Sequence, residues 1–200
     1  MTSVKQGSTL LFVVNLPVSP RVIEFLQSGG SGLIKHSQRS LFDHLLATYK
    51  ILRSWDASEA LSLAGLFHSV YGTASFKPAM VSSTKREEVR LVIGEEAEAL
   101  VWLFGMMTPQ SFRGTLNLLF TETVETPAFV LTHRLTSEAM SCSRADFLSL
   151  INLTVANALE QAARLQERYD RPKQAELRKL LPYTLPGAAF SFAAAFTIEG

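Results

Sequence analysis

The chain has 200 residues, of which 47% are hydrophobic and 18% charged, with a formal net charge of +1 and one cysteine, Cys142. That is enough chain to bury a core without disulfides or structural metal, and it points to one domain. The near-neutral balance excludes a generally basic nucleic-acid-binding surface, the lone cysteine excludes an internal disulfide framework, and no run reaches the roughly 20 apolar residues of a membrane span. The expectation is a cytoplasmic protein.

Residues 9–15 read as a short strand or an extended arm. The apolar LLFVVNLPV over residues 10–18 is interrupted by Asn15 and Pro17 and does not read as a leader. Ser19-Pro20 opens a first helix, with Ser as N-cap and Pro at the first helical position, and SGGSG closes it. A second helix begins near Ser37 or Ser40, its apolar stripe formed by Leu41, Leu45, Tyr49 and Leu52. After a polar link around Asp56 to Ser58, EALSLAGLFHSVYG reads as a central buried helix that Gly72 stops. It delivers His68 to its far end.

Residues 74–83 read as a loop. Thr84 and Glu87 form a capping-box pattern, and Gly94 divides TKREEVRLVIGEEAEALVWLFGMM into two helices. Pro109 starts another helix through Phe120, and the alternation in FVLTHRL indicates a hairpin or irregular loop. Ser143, with Asp146 three residues on, caps a long helix that Arg171-Pro172 breaks, and KQAELRKLLPY reads as a last short helix. The tail PGAAFSFAAAFTIEG is small, aromatic and uncharged until Glu199, so it is expected to pack on the body or on a second copy of the chain. The fold class is therefore mainly α, a helical bundle with at most one small β-hairpin. Residues 1–200 form one domain, with a core over about 20–165 and a C-terminal helix and tail over 173–200.

Neutral imidazole is a common transition-metal ligand, and two histidines on packed helices converge only where the helices fix them. His44 lies in the first half of its helix and His68 near the end of the next. A short link makes that pair antiparallel and brings the two positions to one end. Tyr71 follows His68 by three residues, on the same helical face.

AGLFHS resembles the AALLHD signature of HD-domain metal-dependent phosphohydrolases. The upstream HSQR…DHLLATYKIL resembles the hydrolase domain of (p)ppGpp synthetase/hydrolases. The whole pattern, H-x-x-R-x-L-x-x-H-L followed by AGLFHSVYGT, is most similar to an uncharacterised HD-like domain-of-unknown-function family. The resemblance covers roughly residues 20–165 and implies an HD-domain-like bundle. It implies His44 and His68 as metal ligands, with Asn157 in place of the family's late aspartate. Ser69 replaces the aspartate that follows the second histidine, and Gly72-Thr73 replace the hydrolases' Glu-Asp pair. A neutral hydroxyl and amide bind a metal less tightly than carboxylates do. His36 offers a third nitrogen, which with His44 and His68 would suit Zn, Mn or Fe.

Two classes of function follow. One is a metal-dependent hydrolase of a small polar or phosphorylated metabolite, with His68 and Tyr71 at the chemistry and Arg39 and His36 holding an anionic substrate; an iron-dependent oxygenase is a variant of it. The other is a degenerate, metal-free module that binds a ligand or a partner without turnover. Both take a small-molecule ligand or partner protein, with no nucleic acid and no membrane, and the apolar tail suggests a homo-oligomer. His133 reads as a surface residue, Glu160 and Gln161 as a polar flank, and Cys142 as incidental rather than nucleophilic.

Overall fold

The computed structural model describes residues 18–29, 35–36, 39–121, 128–162 and 169–196. The arm expected over residues 9–15 lies outside them, as do the side chains of His36 and Arg39. The protein is mainly α. In chain order the helices are α1 (Pro20–Ser28), α2 (Leu41–Ser54), α3 (Glu59–Phe67), α4 (Arg86–Ile93), α5 (Glu95–Met106), α6 (Pro109–Thr121), α7 (Arg144–Ala162), α8 (Arg171–Leu180) and α9 (Gly187–Phe196). A two-residue ladder pairs β1 (Lys35–His36) with β2 (Arg39–Ser40), and a hairpin pairs β3 (Ala128–Thr132) with β4 (Ala139–Ser143). No helix among the described residues is long and apolar enough to cross a membrane.

Local chemistry sets most of these boundaries. Ser40 caps α2 by accepting from the Asp43 amide, and Ser58 caps α3 by accepting from the Leu61 amide. Between them the chain reverses through Asp56, which takes the left-handed φ of 57° that Asp tolerates better than most residues. Gly94, at φ 85°, separates α4 from α5 in a conformation that favours glycine. Ser143 and Asp146 bond reciprocally at the start of α7. Pro172 opens α8, with the Asp170 side chain capping it, instead of only ending what precedes.

The capping box predicted at Thr84 does not form. Its hydroxyl and amide both turn back to the Ser82 hydroxyl, and Lys85 occupies the cap position without a side-chain bond. The third helix is shorter than expected, ending at Phe67 rather than Gly72. There the chain changes to i→i+3 bonds, Val70 to Phe67 and Gly72 to Ser69, and the Val70 carbonyl accepts from Met80 and Val81 of the following loop.

The core is built on α3 and α7. On α3, Ala64, Leu66 and Phe67 are fully buried, and the helix packs against α2, α5 and α7. Gly65 makes the α2–α3 approach possible, because a Cβ there would stand 2.5 Å from Leu52 Cδ1. On α7, Phe147, Leu150, Ile151, Leu153 and Ala156 form the buried stripe. The hairpin points Phe129 and Leu131 inward and Val130 outward, the period-2 pattern of a one-sided ribbon. It is anchored to the end of α5 by Thr108 N–H to the Thr132 carbonyl, 3.0 Å, and Arg134 N–H to the Met106 carbonyl, 2.7 Å.

The apolar tail packs on the body. It forms α9, which buries Ala188 and Phe192, and Ser191 accepts from the Trp55 indole N–H at 2.8 Å. Cys142 lies on the inner face of β4, 1% exposed, where burial and then the nearby Asp146 charge push its thiol up to about 12. Native protein at pH 8 should therefore resist iodoacetamide, with the adduct appearing by mass only on unfolding.

Candidate functional site

His44 and His68 converge. His44 sits on the first turn of α2 and His68 at the C-cap of α3, and antiparallel packing brings their rings to one end of the pair. The two Nε2 atoms are 3.1 Å apart, with ring centroids at 5.0 Å and planes at 80°. Both residues are buried, His44 completely.

Each remaining ring nitrogen is engaged from behind. His68 Nδ1–H donates to the Gly65 carbonyl at 2.8 Å, satisfying one of the carbonyls that a helix end leaves without an internal partner. His44 Nδ1 meets Glu160 Oε2 at 2.5 Å. The Gly65 carbonyl, which can only accept, fixes a hydrogen on His68 Nδ1 and turns the ring's Nε2 toward His44.

Glu160 is the functional residue that sequence reasoning missed. Read as polar flank, it is 4% exposed and stands on the buried stripe of α7, one turn after Ala156 and two after Leu153. A carboxylate in line with an apolar stripe needs a partner, and that was the available signal. The partner itself lies 116 residues away in the chain.

The pair borders a cavity of about 180 Å³. Ser69, Thr73, Asn157 and Gln161 give it a polar side, and Phe104, Met107 and Phe112 an apolar one. Asn157, expected at the site, is present: its Oδ1 accepts from Gln161 Nε2 at 3.2 Å. Ser69, at the position of the HD aspartate, is also on the lining. Among the described residues the lining carries no Lys or Arg, and no three His, Cys, Asp or Glu side chains group to hold an ion. The side chains of His36 and Arg39, assigned as ligand and anion-binding residues, lie outside the described residues.

Tyr71 is not part of this cavity. The early end of α3 takes it off the helical face it was expected to share with His68. Its hydroxyl donates to Glu98 Oε1 at 2.9 Å, and burial first, then the Glu98 charge, hold it far above the ordinary phenol value. Glu98 accepts two bonds from Arg86, both 2.7 Å, and one from Arg90 at 3.2 Å, while the Arg86 guanidinium stacks over Trp102 at 4.2 Å. This cluster ties α4 to α5. His133, read as a surface residue, is 9% exposed and packs against Trp102 with ring centroids 5.5 Å apart. Its Nδ1 accepts from the Thr136 amide.

Chemically, the site offers two imidazole nitrogens at one point, held in place from behind, beside neutral hydrogen-bonding groups. No curated protein matches the chain. Residues 25–108, which include both histidines of the pair but not Glu160 or Asn157, match a family model described as a domain of unknown function (DUF6817).

Proposed function

We propose that the chain is an HD-like protein that holds a divalent transition metal, Zn, Mn or Fe, on His44 and His68 and hydrolyses a small polar metabolite in the adjoining cavity. The observation that carries this reading is the convergence of two Nε2 atoms at 3.1 Å with both Nδ1 atoms engaged from behind. With bonds of about 2.1 Å, two nitrogens on one ion stand about 3.0 Å apart at a right angle and about 3.4 Å apart at the tetrahedral angle, which brackets the observed separation. Metal-bound histidines characteristically give their other ring nitrogen to a carboxylate or backbone carbonyl, as these two do. The donor set fits a metal of borderline character, with Asn157 and Ser69 as neutral oxygen neighbours.

When bound, such a metal would acidify a water molecule for attack on the substrate. The chain's own residues do the rest. Glu160 and the Gly65 carbonyl orient the two rings. Asn157 and Gln161 present amide groups to the substrate, and Phe104, Met107 and Phe112 exclude bulk water from one side. A cavity of about 180 Å³ is below the roughly 300–1,000 Å³ of drug-sized sites, which favours a small substrate or the reacting end of a larger one.

The second reading, a binding module without turnover, is favoured by the absence of a carboxylate from the described lining. Metal analysis and thermal unfolding separate the two. Added Zn, Mn or Fe(II) at about 100 times its dissociation constant should stabilise the wild type by about 2.7 kcal/mol, raising Tm by roughly 5–10 °C. His68→Ala should stay folded and lose that response. Protein that purifies without metal and shows no shift with any of the three ions leaves the binding module.

A further inference from the structure

A second cavity, of about 450 Å³, lies on the other side of Phe112 and Thr154, which line both cavities. It is formed by α6, α7 and α8, and its volume falls within the range of small-molecule sites. Its apolar side is made by Phe112, Leu116, Leu177 and Leu180, each less than 10% exposed. Its rim carries three cations, Arg113, Lys173 and Lys179, against one carboxylate, Glu176. The Thr154 hydroxyl, at the wall between the cavities, is buried and has no hydrogen-bond partner among the described residues. A buried hydroxyl without a partner costs stability, and a ligand atom seated at this wall would satisfy it.

We propose that this cavity is a binding site for an amphipathic organic anion, an aliphatic or aromatic body bearing one acidic group. The body fits against the leucines and Phe112, the Thr154 hydroxyl meets a polar atom at the inner end, and the acidic group faces Arg113 and Lys179 at the mouth. The rim charge favours an anion over a neutral molecule of the same shape, since cations at the mouth of a low-dielectric cleft attract the opposite charge. The site shares the Phe112 and Thr154 wall with the histidine cavity but contains neither histidine nor Glu160, and it stands independently of the metal reading.

The test is fluorescence titration with 8-anilinonaphthalene-1-sulfonate, compared with the neutral N-phenyl-1-naphthylamine, and displacement by decanoate. Saturable binding of one sulfonate per chain, displaced by decanoate, is expected. The neutral probe should bind about tenfold or more weakly. Arg113→Glu with Lys179→Glu should lower sulfonate affinity by about tenfold or more without lowering Tm, while Lys50→Glu, at an exposed position on α2 outside the lining, leaves it unchanged. Thr154→Val should weaken binding severalfold and not lower Tm. Equal affinity for the neutral probe, non-saturable binding, or full affinity in both the Arg113/Lys179 and the Thr154 variants would overturn the proposal.

Discussion

Replacing Glu98 with alanine is expected to destabilise the protein by about 3 kcal/mol. Glu98 is fully buried and accepts four bonds, two from Arg86, one from Arg90 and one from Tyr71. The two arginines are partly exposed and rehydrate when the carboxylate is removed, which keeps the loss below that of a fully buried pair. The Tyr71 hydroxyl cannot reach water in the same way and is left buried without its acceptor, a cost of about 1–3 kcal/mol by itself. Urea denaturation at neutral pH measures the total; a loss within 0.5 kcal/mol of zero would show that the cluster contributes nothing beyond surface ion pairs.

The same residue predicts a pH dependence. Burial raises the Glu98 carboxyl, but its bonds to Arg86, Tyr71 and Arg90 outweigh burial and hold it below its ordinary 4.5. The native state therefore binds this proton less readily than the unfolded chain. The stability that the carboxylate contributes is present above pH 4.5 and is lost as pH falls through the lower native value. Glu98→Gln, which has no proton to gain, should be less stable at pH 7 and should show a shallower fall in stability below pH 4.5.

The second large effect is expected at the histidine pair. His44→Ala removes a close partner of a buried carboxyl and should cost about 3 kcal/mol. His44→Leu combined with Glu160→Leu replaces the pair by apolar groups of similar size and should recover part of that loss: no carboxyl is left buried without its imidazole, although His68 Nε2 still loses His44. A double-mutant cycle should give a coupling energy above about 2 kcal/mol. Additive losses would mean that the 2.5 Å contact between His44 and Glu160 is not a working interaction. The experiment also separates stability from function: the double-leucine variant should be well folded and indifferent to metal, whatever the wild type binds.

The features legible in the residue order are local. Apolar spacing placed α2, α3 and α7; Ser143 marked the start of α7, Ser37 or Ser40 and Asp56 or Ser58 were the starts open to the other two, and alternation in FVLTHRL marked the hairpin. These signals are carried by residues within four positions of one another, so neighbouring side chains are enough to specify them. The short link through Asp56 also made α2 and α3 antiparallel, and that brought His44 and His68 to one end.

Which polar groups meet is settled by packing between elements. Tyr71 left the pocket because Glu98, 27 residues on, takes its hydroxyl, and Glu160 entered the site because α7 lays it against His44. The shared wall at Phe112 and Thr154 depends on how α6 and α7 pack. A buried polar group must find a partner wherever the packing supplies one, and its distance along the chain has no bearing on that choice.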